Sequence, residues 1–111
     1  MLMDWHVAIA SNDDLSRIMF VGRSSPVDLS EVEWSRFTDM ATMIYGLWEF
    51  AFLKFEEDAF PESHWVGFES WFKTLACANG YRRFFEESKA GFSPPFRAYM
   101  ETKILSACDE D

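Results

Sequence analysis

Glycine is scarce in this chain, with 5 among 111 residues, and none is spaced as a phosphate-cradling loop. Nucleotide binding of the glycine-rich kind is therefore excluded. Histidine is scarcer still: there are 2, His6 and His64, and neither has a Glu three residues before it. That removes the Glu-x-x-His pairs that a di-iron helical bundle needs. The two cysteines, Cys77 and Cys108, sit in no Cys-x-x-Cys or Cys/His cluster, which argues against zinc. No metal site and no cofactor are expected. Serines fall at helix starts rather than in a Gly-x-Ser-x-Gly elbow, so a serine nucleophile has no support. No run approaches the roughly 20 apolar residues that span a bilayer.

Basic residues are also few, 10 Lys and Arg against 19 Asp and Glu, for a net charge of −9. The imbalance is local, because residues 1–69 hold 13 of the acids and only 4 of the bases. Direct binding to a nucleic-acid backbone needs clustered cations and is not expected. An acidic front half suits a solvated surface, or imitation of nucleic acid toward a basic protein. The opening "MLMDWHVAIAS" lacks a basic leader, and its apolar stretch is broken by Asp4 and His6. One disulfide is an option for the two cysteines, but reduced thiols in a cytoplasmic location are the expectation.

Aromatic side chains are abundant: 18% of the chain, including 12 Phe and 5 Trp. Buried rings each remove a large apolar area from water, so 111 residues suffice for one domain, 1–111, with a single core. There are more rings than a small core easily hides, which points to a partner surface.

The apolar spacing is helical throughout. A short helix is expected at about 3–10. "SNDDL" supplies caps for a second, with Leu15, Ile18 and Met19 on one face and Gly22 as its stop. "LSEVEW" fits a capping box of Ser30 and Glu33, with Leu29 and Trp34 as a hydrophobic staple. Beyond it, Trp34, Phe37, Ala41, Ile44, Trp48, Phe52, Phe55 and Ala59 recur every three or four residues. A second stripe, Met40, Met43, Leu47 and Phe50, covers much of the other side, so the second half of this helix is expected to be enclosed. Pro61 opens another helix with Trp65, Phe68, Phe72 and Leu75 buried and Trp71 beside them. "NG" at 79–80 leads into a helix at about 81–89, and "SPP" at 93–95 starts the last, with Phe96, Tyr99, Met100 and Ile104 aligned. The expected fold is all-α: an irregular bundle of five or six helices around one long central helix, about 31–59.

This order of motifs resembles a family of small bacterial helical proteins of uncharacterised function, many with an N-terminal membrane-spanning helix. The similarity rests on "IASNDDLSRIMFVG", "LSEVEWSRF", "WEFAF", Trp65, "NGYRRFFEE" and "FSPPFRAYM", across about residues 8–101. Phe50 and Phe84 depart from the family's pattern, and its membrane helix is absent here. The resemblance implies the helical architecture and no activity; it also implies an alternative location, the cytosolic domain of a membrane-anchored relative.

One acid interrupts the apolar run at residues 45–55 of the long helix. Glu49 in "YGLWEFAFLKF" is costly in an apolar setting unless paired. The expected partner is an arginine, Arg82 first, in a buried ion pair tying the central helix to the C-terminal ones. A Glu49-centred enzyme or ligand binder is the competing reading. Glu56, Glu57, Asp58 and Glu62 beside His64 read as a solvated acidic corner. Met40 and Met43 are candidates for an adaptable partner surface. No catalytic constellation emerges, so the leading expectation is a non-enzymatic protein-interaction module, with self-association as one form of it. The alternative is an acidic inhibitor or nucleic-acid mimic.

Overall fold

Ser30 begins the longest element. Its hydroxyl accepts from the Glu33 N–H at 3.2 Å, and the Glu33 carboxylate accepts from the Ser30 N–H at 2.9 Å. This reciprocal box satisfies two amides that no helical turn can reach. The helix then runs Glu31–Glu56. Its end is set by geometry that the apolar pattern does not reveal. The Ala59 N–H reaches back to the Lys54 carbonyl at 2.8 Å and the Asp58 N–H to Phe55 at 3.0 Å, with Asp58 at a φ of 58°. This is a Schellman ending with Asp where glycine is preferred. Ala59 therefore lies past the stop, and the helix is shorter than the expected 31–59. Because a left-handed non-glycine residue costs about 1 kcal/mol, Asp58→Gly is expected to raise stability by roughly 0.5–1 kcal/mol. Thermal denaturation checks this as a gain of a few degrees.

The computed structural model describes residues 13–109, so the helix expected at about 3–10 lies outside them. Among the described residues there are five α-helices and no strand: α1 (Asp13–Ser24), α2 (Glu31–Glu56), α3 (Glu62–Ala76), α4 (Asn79–Ser88) and α5 (Pro94–Tyr99). Short 3-10 turns at Pro26–Asp28 and Lys89–Gly91 join neighbours. After α5 the chain continues as a π-helical turn, Met100–Ile104, followed by a 3-10 turn, Ser106–Asp109. The fold is an all-α bundle.

The other helices pack on one side of α2, against Phe37, Ala41, Ile44, Tyr45, Trp48, Ala51 and Phe52. Into that face come Ile18 of α1, Trp65 and Phe72 of α3, Tyr81, Phe84 and Phe85 of α4, and Phe96 and Met100. Trp48 stacks on Phe72 at 4.9 Å and meets Phe96 and Tyr99 edge-on. Offset and edge-on geometries of this kind favour ring pairs beyond simple burial. The opposite side of α2 stays open, contrary to the expected enclosure. Phe50 is 60% exposed and Met43 43%, because no described helix lies across them.

The tightest joint is between α1 and α4. A Cβ built on Gly80 would stand 1.7 Å from the Gly22 carbonyl oxygen, so the two backbones touch. The expectation that Gly22 stops α1 is corrected: α1 runs on to Ser24, and the glycine is there for close approach. For the same reason α4 begins at Asn79, with "NG" inside its first turn rather than before it.

Candidate functional site

Glu49 is half-buried on α2, and its carboxylate accepts the Ser93 N–H at 2.7 Å. The expectation that Glu49 and Arg82 are buried is corrected: both side chains are only partly buried, and no charged side chain among the described residues is fully buried. The bond that Glu49 makes goes to a backbone amide. The reason lies in the start of α5. Ser93 is the N-cap of α5, so its N–H has no acceptor within that helix and stands at its positive end. A carboxylate supplied from α2 satisfies it, and partial exposure keeps the remaining charge hydrated. The anchor does tie α2 to the C-terminal arm, through that amide.

Arg83 is committed elsewhere. Its Nε donates to Glu87 at 3.0 Å, and its guanidinium lies 4.1 Å from the Trp34 ring. The Trp34 indole donates to the other Glu87 oxygen at 3.0 Å, so α2 and α4 are cross-linked at the surface. These bonds hold the Glu87 carboxyl below its ordinary range, Arg83 contributing most. At the opposite corner Arg17 bonds Glu33 and Asp14, and Arg36 reaches Asp14 at 2.9 Å. The hydrogen bond from Arg17 is the main cause of the lowered Glu33 carboxyl.

A second polar group sits beside the core. The Tyr99 hydroxyl donates to Glu69 at 2.8 Å, and Lys103 approaches the same carboxylate at 3.2 Å. Burial, then the Glu69 carboxylate, pushes the Tyr99 phenol up, which keeps it a neutral donor. Sequence reading missed this trio, although the four-residue spacing of Tyr99 and Lys103 places both on one helical side. It braces α3 against α5. Tyr45, fully buried among rings, and Tyr81, pushed up to about 12, are likewise held neutral, chiefly by burial.

The acidic corner does not converge on a cation. Among the described residues no group of three or more His, Cys, Asp and Glu side chains could hold a metal ion. Lys54 approaches Glu57 at 3.6 Å, and Glu56, Glu57, Asp58, Glu62 and His64 are exposed.

Cys77 and Cys108 are bonded to each other, with their Cα atoms 5.4 Å apart. The expectation of free thiols is thus corrected, and with it the ground for a cytoplasmic location. A spacing of 31 residues hid the pair, because the chain between them folds back through α4 and α5.

The outer face of α3 carries an apolar opening. Ser63, His64, Gly67, Phe68 and Trp71 line a shallow groove there. Phe68 and Trp71, expected inside or beside the core, are 39% and 51% exposed, whereas Trp65 and Phe72 are buried as expected and Ala76 joins them. The buried stripe of α3 turns slightly from the one expected, since α2 meets the helix along Trp65 and Phe72. On α2, Met40 is half-buried and Met43 exposed, in line with Phe50. Among the described residues no helix is long and apolar enough to cross a membrane. Comparison with known proteins assigns no relationship: no family model, no curated protein and no solved structure matches the chain.

Proposed function

We propose that this domain is a non-enzymatic interaction module that engages a protein partner, or a second copy of itself, through the outer face of α3. The observation that carries the reading is Trp71, a tryptophan with half its surface in water beside exposed Phe68 along an open groove. Half-exposed aromatic rings are poor for solubility and are the residues that dominate binding energy when desolvated. The exposed side of α2, with Met43 and Phe50, offers a second adaptable strip.

Glu49, the one acid in the apolar run at 45–55, spends an oxygen on a backbone amide, and the groove on α3 is open to water. General acid–base catalysis needs a second positioned group and an enclosed site. The acidic-mimic reading loses some of its motive, since Asp14 and Glu33 are engaged by Arg17 and Arg36.

Trp71→Ser tests the proposal. Because about half of the ring is packed, partly against Phe72, it is expected to lower the stability by about 1–2 kcal/mol and to leave the domain folded, which melting verifies. Binding is expected to weaken by tenfold or more, about 1.4 kcal/mol, as for an interface anchor. Sedimentation velocity across concentration reads self-association, and pull-down from source cells reads partners. Strictly monomeric domains that retain the same proteins whether or not Trp71 has been replaced would contradict the reading.

A further inference from the structure

We infer that the Cys77–Cys108 bond forms and persists in an oxidising compartment, where it serves as a clasp holding the C-terminal arm onto the corner between α3 and α4. Both ends of the bond are built into packed structure. Cys77 closes α3, its N–H donating to Lys73 at 3.1 Å, and the next residues belong to the tightest joint in the fold. There Asn79 donates to the Ser24 carbonyl at 3.3 Å, and Gly80 lies against the Gly22 backbone. Cys108 sits in the 3-10 turn after the π-helical one, its N–H donating to Leu105, four residues beyond the buried Ile104. The closed loop therefore contains α4, α5 and the π-helical turn, and it fastens that arm at its far end.

Neither sulfur has a competing role: among the described residues there is no free cysteine and no metal-binding cluster. Such structural bonds belong to compartments that oxidise thiols, and a reducing cytosol keeps cysteine pairs open. Formation is a thiol–disulfide exchange with a disulfide-bearing oxidant, a protein oxidase or oxidised glutathione. One cysteine thiolate attacks the oxidant's disulfide and expels one of its sulfurs as a thiol. The second then attacks the mixed disulfide, closing Cys77–Cys108 and expelling the other. Two electrons and two protons pass from the cysteine pair to the oxidant.

The redox state is read in source cells quenched in acid, denatured and alkylated, by the mass of the intact chain. No alkyl group is expected unless reductant is added first, and two are expected after it. Two groups without reductant would overturn the compartment. The clasp is read by melting the double variant Cys77→Ser, Cys108→Ser against the oxidised wild type. From the loop length the melting temperature is expected to fall by roughly 10–15 °C. Amide protection should fail first over residues 100–108. Should the variant not accumulate, the purified wild type melted with and without reductant gives the same comparison. Equal melting temperatures would overturn the clasp.

Discussion

Gly80→Ala is expected to destabilise the fold by about 3 kcal/mol or more, lowering the melting temperature by roughly 10–15 °C. The added methyl would sit 1.7 Å from the Gly22 oxygen and 3.1 Å from the Arg23 Cα. Both obstacles are backbone, so no rotamer change relieves the overlap; α1 and α4 must move apart. Separation strains the Asn79–Ser24 hydrogen bond and loosens Tyr81 from Phe37, whose rings are 5.0 Å apart. Gly22→Ala should also be costly, though less so, because its methyl meets side chains rather than backbone: the Phe37 ring, which is fully buried between Trp34 and Tyr81, must shift to admit it. Gly46→Ala and Gly67→Ala should have the opposite sign. Both lie inside helices with nothing within 4 Å of the new methyl, so helix propensity alone predicts a gain of roughly 0.5–1 kcal/mol. Chemical denaturation of the four variants checks the order. A neutral Gly80→Ala would show that α1 and α4 do not touch as described.

Trp48→Ala should be comparably severe, about 3–5 kcal/mol. The side chain is fully buried at the centre of α2, stacked on Phe72 and edge-on to Phe96 and Tyr99, so its removal opens a hole that three rigid rings cannot fill. Trp48→Phe separates volume from polarity. The indole N–H is buried and makes no hydrogen bond of ordinary length among the described residues, a burden that phenylalanine lacks. The smaller ring loses some contact but relieves that donor, so the expected cost is below about 1.5 kcal/mol. Equal losses for Ala and Phe would place the energetic weight on the N–H rather than on the packing.

What the sequence made legible was local. Ser30 and Glu33 fit a capping box because both partners lie within one turn, and the structure forms it. The stripe from Phe37 to Phe52 showed the core face of α2 because burial follows the helical period. The unread parts depend on distant neighbours or on backbone groups. Glu49 demands a partner, and a search among cationic side chains settles on arginine. Its actual partner is an amide 44 residues away, the N–H of the residue that caps α5, which no helical turn can satisfy. "SPP" carries that signal, but reads only as a helix start. Gly22 reads as a stop because glycine ends many helices, and only the approach of Gly80 shows its purpose. The rings of Phe68 and Trp71 fit the period of α3 as well as Trp65 and Phe72 do. Which side faces α2 is decided by the angle at which the helices meet, and spacing does not encode that.

The central claim is that Glu49 is a fastening for the C-terminal arm, not a reactive group. Hydrogen exchange at the Ser93 amide tests it most directly, in the wild type and in Glu49→Ala. The wild-type amide is expected to be protected. In the variant that protection should be lost locally, with a stability cost of about 1–2 kcal/mol, while the amides of α2 keep theirs. A Ser93 amide that exchanges in the wild type as fast as an unstructured peptide would contradict the account.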